Sequence, residues 1–152
     1  MIDMNKGEIA KELFESGCNC SQAVFCAFCD ETGFDKETAL KISAGFGGGF
    51  GRLREVCGAV SGMTMTLSYK FASADVNDPA KKAELYALIQ KAANEFREQN
   101  GSIVCRELLG LSEKASSPVP EERTAKYYAK RPCGELVKCA AEITEKLLSE
   151  LK

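Results

Sequence analysis

Histidine is absent from this chain of 152 residues. Histidine-ligated haem is thereby excluded, and a metal would have to be held by other side chains. An excess of positive charge is missing too. There are 20 Lys and Arg against 22 Asp and Glu, a net charge of −2, whereas a nucleic-acid-binding face is expected to be basic. No apolar run is long enough for membrane insertion. The longest weakly polar stretch, Val56 to Tyr69, ends at Lys70, contains Ser and Thr, and falls short of the ~18 residues a span needs. Residues 1–16 are amphipathic and mixed in charge, with no apolar signal core. The expected compartment is therefore the cytoplasm.

Against these absences stand eight cysteines. In a cytoplasmic chain permanent disulfides are rare, and clustered cysteines point to metal or redox work. The cysteine content is also below the roughly 8–10% of a disulfide-built scaffold. Four of the eight fall where a helix is expected to begin: Cys20 after Asn19, Cys57 after a glycine-rich loop, Cys105 after Ser102, and Cys133 after Pro132. The first turn of a helix has unpaired N–H groups and partial positive charge, which favour the thiolate, the form that attacks disulfides or binds metal. Cys20 and Cys57 are accordingly expected to titrate below the free-thiol value of about 8.5, with Arg52 or Arg54 adding to the effect at Cys57.

The rest of the chain reads as helix, and no strand pattern competes. Ile9, Leu13 and Phe14 share a face over 4–16, stopped by Gly17. Asn19 with Gln22 forms a capping-box pattern opening a helix through Cys29. Asp35 caps a shorter helix, and a second apolar helix is expected from about Arg54 to Phe71. Asp78-Pro79 starts a long helix that Asn100-Gly101 ends. A short helix follows from Ser102 to Leu109, then a polar loop from Ser112 to Pro120 and a charged turn or helix through Tyr128. Pro132 opens the last helix, whose apolar stripe is Leu136, Val137, Ala140, Ile143, Leu147 and Leu151. The expected class is all-α, a helical bundle in a single domain over 1–152, long enough to bury roughly 70% of its unfolded surface.

Two glycine features bear on chemistry. The run Gly45-Phe46-Gly47-Gly48-Gly49-Phe50-Gly51 precedes a helix and is followed by Arg52 and Arg54. It lacks the Gly-Lys-Ser/Thr ending of a P-loop, does not fit G-x-G-x-x-G, and follows a helix instead of a strand. A tight passage that brings backbone close to a cofactor or to Cys57 is the better reading, with Gly48, Gly49 and Gly51 as its contact positions. Gly58, Ser61 and Gly62 then put small residues on one helix face, either for close helix packing or to clear space beside Cys57. Cys26-Ala27-Phe28-Cys29 is a C-x-x-C within a helix. Asp30 stands where haem attachment needs histidine, and no strand precedes it as in thioredoxin-like proteins, so Cys26 and Cys29 read as core.

Several of these segments together resemble one family: Asn-Cys-Ser-Gln-Ala-Val around Cys20, Gly-Gly-Gly-Phe-Gly-Arg-Leu-Arg-Glu-Val-Cys-Gly-Ala-Val-Ser-Gly through Cys57, Cys-Arg-Glu-Leu-Leu-Gly from Cys105, and Arg-Pro-Cys at Cys133. In this order, from about Phe14 to Ile143, they resemble the C_GCAxxG_C_C family of small redox-active proteins. The resemblance implies that Cys20, Cys57, Cys105 and Cys133 are the family cysteines, with Cys18, Cys26, Cys29 and Cys139 additional. Members often lie beside transporter genes, which implies a functional link to a transporter.

The expected site is thus one convergence of four thiols, serving both as catalytic residues and as metal ligands, with Gly48, Gly49, Gly51 and Gly58 against a cofactor. Either a dithiol cycles with a disulfide, or four thiolates hold an iron–sulfur cluster or zinc. The partner is then a redox protein or a small molecule. The alternative is a non-catalytic metal-binding or transporter-accessory protein.

Overall fold

Side-chain caps set where several helices begin in the computed structural model of the chain, which describes residues 5–111 and 117–151. Asn5 caps α1 (Lys6–Glu15) by accepting from the Glu8 amide at 2.8 Å. The capping box at α2 (Cys20–Ala27) is reciprocal. Asn19 Oδ1 accepts from the Gln22 amide at 2.9 Å, and Gln22 Oε1 accepts from the Asn19 amide at 3.0 Å. A break at Phe28 separates α2 from the four-residue α3 (Cys29–Thr32), which ends at Gly33 with φ +82°. Cys29 therefore opens its own short helix and is not mid-helix as expected. Asp35 caps α4 (Lys36–Ser43), and Asp78 caps α6 (Pro79–Asn100), which Gly101 ends at φ +92°.

The second apolar helix begins later than its pattern suggests. α5 covers Gly58–Phe71, not residues from Arg54 onward, because Arg52 and Arg54 adopt φ of +66° and +61° and carry the chain outside helical geometry. α7 is only Cys105–Leu108. Ser102 does not cap it directly; its hydroxyl accepts from the Val104 amide at 2.9 Å and donates to Glu107 at 2.7 Å. Thr124 caps α8 (Ala125–Lys130), and α9 (Cys133–Glu150) follows Pro132. Part of the expected polar loop, residues 112–116, lies outside the described residues.

The architecture is all-α, with no strand among the described residues. Helices α2, α5 and α9 pack on one another, α1 lies along α9 and α2, and α6 covers α9 and α5. Their shared core is built on Phe14, Val24, Phe28, Met63, Leu67, Phe96, Val137 and Leu147, all essentially inaccessible. The buried hydroxyls of Ser43, Thr66 and Thr144 donate to the carbonyls of Ala39, Gly62 and Ala140, so these polar side chains cost the core little.

The α2–α5 contact depends on glycine. A Cβ on Gly62 would stand 2.7 Å from the Ser21 carbonyl oxygen and 2.9 Å from Val24 Cβ. Backbone cannot yield as a flexible side chain can. Gly62→Ala is therefore expected to lower stability by about 1–3 kcal/mol, read from denaturant unfolding. The rate of thiol alkylation in the protein that remains folded should not change, and a stable variant would show that this face is not closely packed.

Candidate functional site

One backbone pairing gathers the glycine loop and two of the cysteines. Val56 and Val104 form an isolated antiparallel bridge. Across it the Cys57 amide donates to the Ile103 carbonyl at 2.7 Å, and the Cys105 amide donates to the Glu55 carbonyl at 2.6 Å. Cys57 and Cys105, distant in sequence, thus stand beside each other at the heads of α5 and α7. No sequence pattern announces this bridge, because a single residue pair is too short to show alternation.

The preceding loop turns back on itself in the left-handed region, with Gly48, Gly49, Phe50, Gly51 and Arg52 all at positive φ. Its amides are tied internally: Gly51 to the Gly45 carbonyl at 2.9 Å, Arg54 to Gly48 at 3.1 Å, and Glu55 to Gly49 at 2.9 Å. Gly49 is required twice, by its φ of +75° and because a Cβ would lie 2.6 Å from Cys105 Cβ. Gly58 sits close against α2, where a Cβ would meet Cys20 Cβ and the Ser21 amide at 3.1 Å. Around Gly51 there is open space, the nearest atom to a Cβ being the Gly45 oxygen at 3.9 Å.

Cys20 is fixed by its capping box, and that box is clamped in turn. Asn19 Nδ2 donates to the Ala44 carbonyl at 2.9 Å and Ser21 Oγ to the Ser43 carbonyl at 2.7 Å, pinning the head of α2 to the end of α4. Cys133 enters as the first residue of α9. The four cysteines, with Gly48, Gly49, Gly51 and Gly58, line one cavity of about 400 Å³. Cys57, Cys105 and Cys133 are buried and Cys20 is half-buried. All eight cysteines are free thiols.

The remaining wall includes four arginines, Arg52, Arg54, Arg123 and Arg131. Arg54 is buried, with Nη1 3.6 Å from Cys105 Sγ. Its guanidinium thus meets Cys105, not Cys57 as expected from sequence. Arg123 lies with its guanidinium 4.6 Å from the centre of the Phe14 ring and donates to the carbonyls of Phe14 and Cys18 at 3.0 and 3.1 Å. Arg131 pairs with Glu121. Sequence reading did not single out Arg123 or Arg131. Arg131 carried a local signal, standing two residues before Cys133; Arg123 carried none, since only the packing of the α8 region onto α1 brings it here.

Thiol acidity departs from the helix-start expectation at three of the four sites. Burial pushes Cys57 up to about 12, only partly offset by the nearby amides of Ala59 and Val60. Cys57 occupies the N-cap of α5, one position before the first turn, and makes no cap hydrogen bond of normal geometry. Cys105 is also raised by burial, although Arg54 opposes the rise. Cys20 is raised well above the ordinary thiol range, chiefly because its thiol donates to Cys133, with burial adding to the effect. Cys133 alone is lowered, by that same hydrogen bond and then by the positive charges of Arg131, Arg123 and Arg54 against the cost of burial. When one proton leaves the pair it leaves from Cys133, and Cys20 keeps its own.

The additional cysteines lie apart from this cavity's lining. Cys26 packs in a separate cluster with Phe25 and Ala39, Cys29 lies half-buried at its edge, and burial raises both, Cys26 to about 12. Cys139, on α9, is hydrogen-bonded by Asn100 at 3.4 Å. Among the described residues no three Cys, Asp or Glu side chains gather tightly enough to hold a metal ion. A single zinc therefore does not fit the thiols as they stand, since each sulfur would have to approach it to about 2.3 Å. Among the described residues no helix is long and apolar enough to cross a membrane.

A family model described as "Putative redox-active protein (C_GCAxxG_C_C)" matches residues 18–147. No curated protein and no solved structure matches the chain.

The division of acidity predicts an order of reactivity. With limiting iodoacetamide at neutral pH, Cys133 should be modified first and Cys26 and Cys57 last, as mapped by peptide mass spectrometry. The Cys133 rate should reach its half-maximum at a lower pH than the rates of Cys57 and Cys105, because the thiolate forms there more readily. Equal rates at Cys133 and Cys57 would contradict the assignment.

Proposed function

The chain belongs to the C_GCAxxG_C_C family, and on that footing we propose that it is a cytoplasmic dithiol–disulfide oxidoreductase whose working pair is Cys133 and Cys20. The observation that carries this reading is that Cys20 and Cys133 line one cavity and act on each other's acidity, one thiol being raised and the other lowered. Disulfide exchange needs such a pair. One sulfur must be a thiolate at ambient pH to attack, and a neighbour must remain protonated until the mixed disulfide exists.

The Cys133 thiolate attacks one sulfur of a substrate disulfide, forming a protein–substrate disulfide and releasing the other half as a thiolate. Cys20 gives its proton to that departing thiolate and then attacks Cys133 Sγ. A Cys20–Cys133 disulfide forms and the second half leaves as a thiolate. Two electrons pass from the protein dithiol to the substrate, and the reverse sequence reduces the protein at the expense of a small thiol. Burial of Cys20 keeps its proton in place beforehand. The guanidiniums of Arg131, Arg123 and Arg54 stabilise negative charge on Cys133.

Cys57 and Cys105 line the same cavity with their protons retained. They give its floor a sulfur-rich character that two-cysteine exchange does not require. That observation favours a second reading, an iron–sulfur cluster ligated by the four thiolates.

One comparison separates the two. Under exchange chemistry, Cys20→Ser should accumulate a stable mixed disulfide on Cys133 when treated with a small disulfide, while the wild type proceeds to an internal Cys20–Cys133 bond. Intact-mass analysis distinguishes an adduct from the loss of two hydrogens. Cys133→Ser should do neither. A brown protein with bound iron and sulfide after anaerobic purification, in which neither variant forms an adduct, would replace exchange with the cluster.

A further inference from the structure

The thiol pair sits in a cavity whose described residues carry charge of mostly one sign. Among the described residues its wall holds four arginines and a single carboxylate, Glu121. Glu121 is paired with Arg131, and Arg54 is directed at Cys105. Arg52 and Arg123 pair with no carboxylate among the described residues. Arg52 Nε donates to the Ser117 carbonyl at 2.7 Å, and Arg123 is held by carbonyls, the Tyr128 hydroxyl and aromatic faces. Such partners orient a guanidinium without neutralising it. The charges also crowd one another. Burial is the main cause of a lowered pKa at Arg52, and the neighbouring charges of Arg54 and Arg131 add to it.

We infer that the substrate is a low-molecular-weight disulfide bearing carboxylate groups, bound with a carboxylate between Arg52 and Arg123 and its sulfurs over Cys133. This inference rests on the exchange reading and adds to it the class of molecule exchanged. Size supports a small molecule over a protein disulfide. A cavity of about 400 Å³ lies within the range that encloses small ligands, and Cys133 is only 9% exposed, beyond the reach of a flat protein surface. Charge supports an anion, because a carboxylate relieves the mutual repulsion of the guanidiniums and meets a planar fork of donors. A cationic disulfide would add to that repulsion.

Three symmetrical disulfides of similar size test this: dithiodipropionate with two carboxylates, bis(hydroxyethyl) disulfide with none, and cystamine with two ammonium groups. The rate of adduct formation at Cys133 is measured for each in Cys20→Ser and divided by the rate of the same probe with a free small thiol. That division removes differences in leaving-group acidity. The normalised rates should fall in the order anionic, neutral, cationic, with about tenfold or more between the ends. The spread should shrink near 1 M salt, where charges are screened beyond ~3 Å. Arg52→Gln should narrow the ratio of anionic to cationic rate. Reaction of all three at Cys133 with equal normalised rates, or with the cation fastest, overturns the substrate class and leaves exchange intact. Failure of every probe to modify Cys133 overturns exchange itself, and this inference with it.

Discussion

The pairing of Val56 with Val104 is the constraint on which the cysteine site depends. Two short backbone hydrogen bonds fix the chain just before Cys57 and Cys105, so that two helices begin side by side. The glycine loop can then fold inward only by entering left-handed geometry, and Gly49 must be bare because Cys105 lies against it. On the other side, the Asn19 box ties α2 to α4 and sets Cys20 against Gly58. α9, packed along α1, brings Cys133 into the remaining position. Each cysteine is thus placed by backbone and capping contacts, leaving its sulfur free for chemistry.

Two opposing effects act on those sulfurs, and their sizes decide the outcome. A helix start offers a negative group roughly 0.3–1 kcal/mol at exposed sites. Raising Cys57 from 9.0 to about 12 corresponds to about 4 kcal/mol against the charged form. Desolvation wins wherever it is unopposed. Cys133 escapes because its interaction with Cys20 and the positive charges of Arg131, Arg123 and Arg54 together outweigh the cost of its burial. Four cysteines that look alike in sequence therefore divide into one thiol whose ionisation is eased and three whose ionisation is opposed.

The small residues of α5 likewise divide. Gly62 meets the backbone of α2 and serves packing; Gly58 meets Cys20 itself and borders the cavity. The face packs closely on α2 at both glycines and turns from core toward cavity over a single turn.

The sequence by itself determined the helical class, the caps at Asn19, Asp35 and Asp78, and which four cysteines line one cavity. Those features are local: a cap needs only a side chain and the next three amides, and apolar periodicity needs only one helix. The family pattern around Cys57 carried the same information in compressed form. The late start of α5 was hidden because left-handed backbone at Arg52 and Arg54 has no side-chain signature comparable to glycine. Only the tertiary structure decided which thiol ionises and which charges surround it. Arg123 reaches the site across more than a hundred residues of sequence through the carbonyls of Phe14 and Cys18. Acidity follows from burial and from neighbours in space, and neither is a property of a residue's position in the chain.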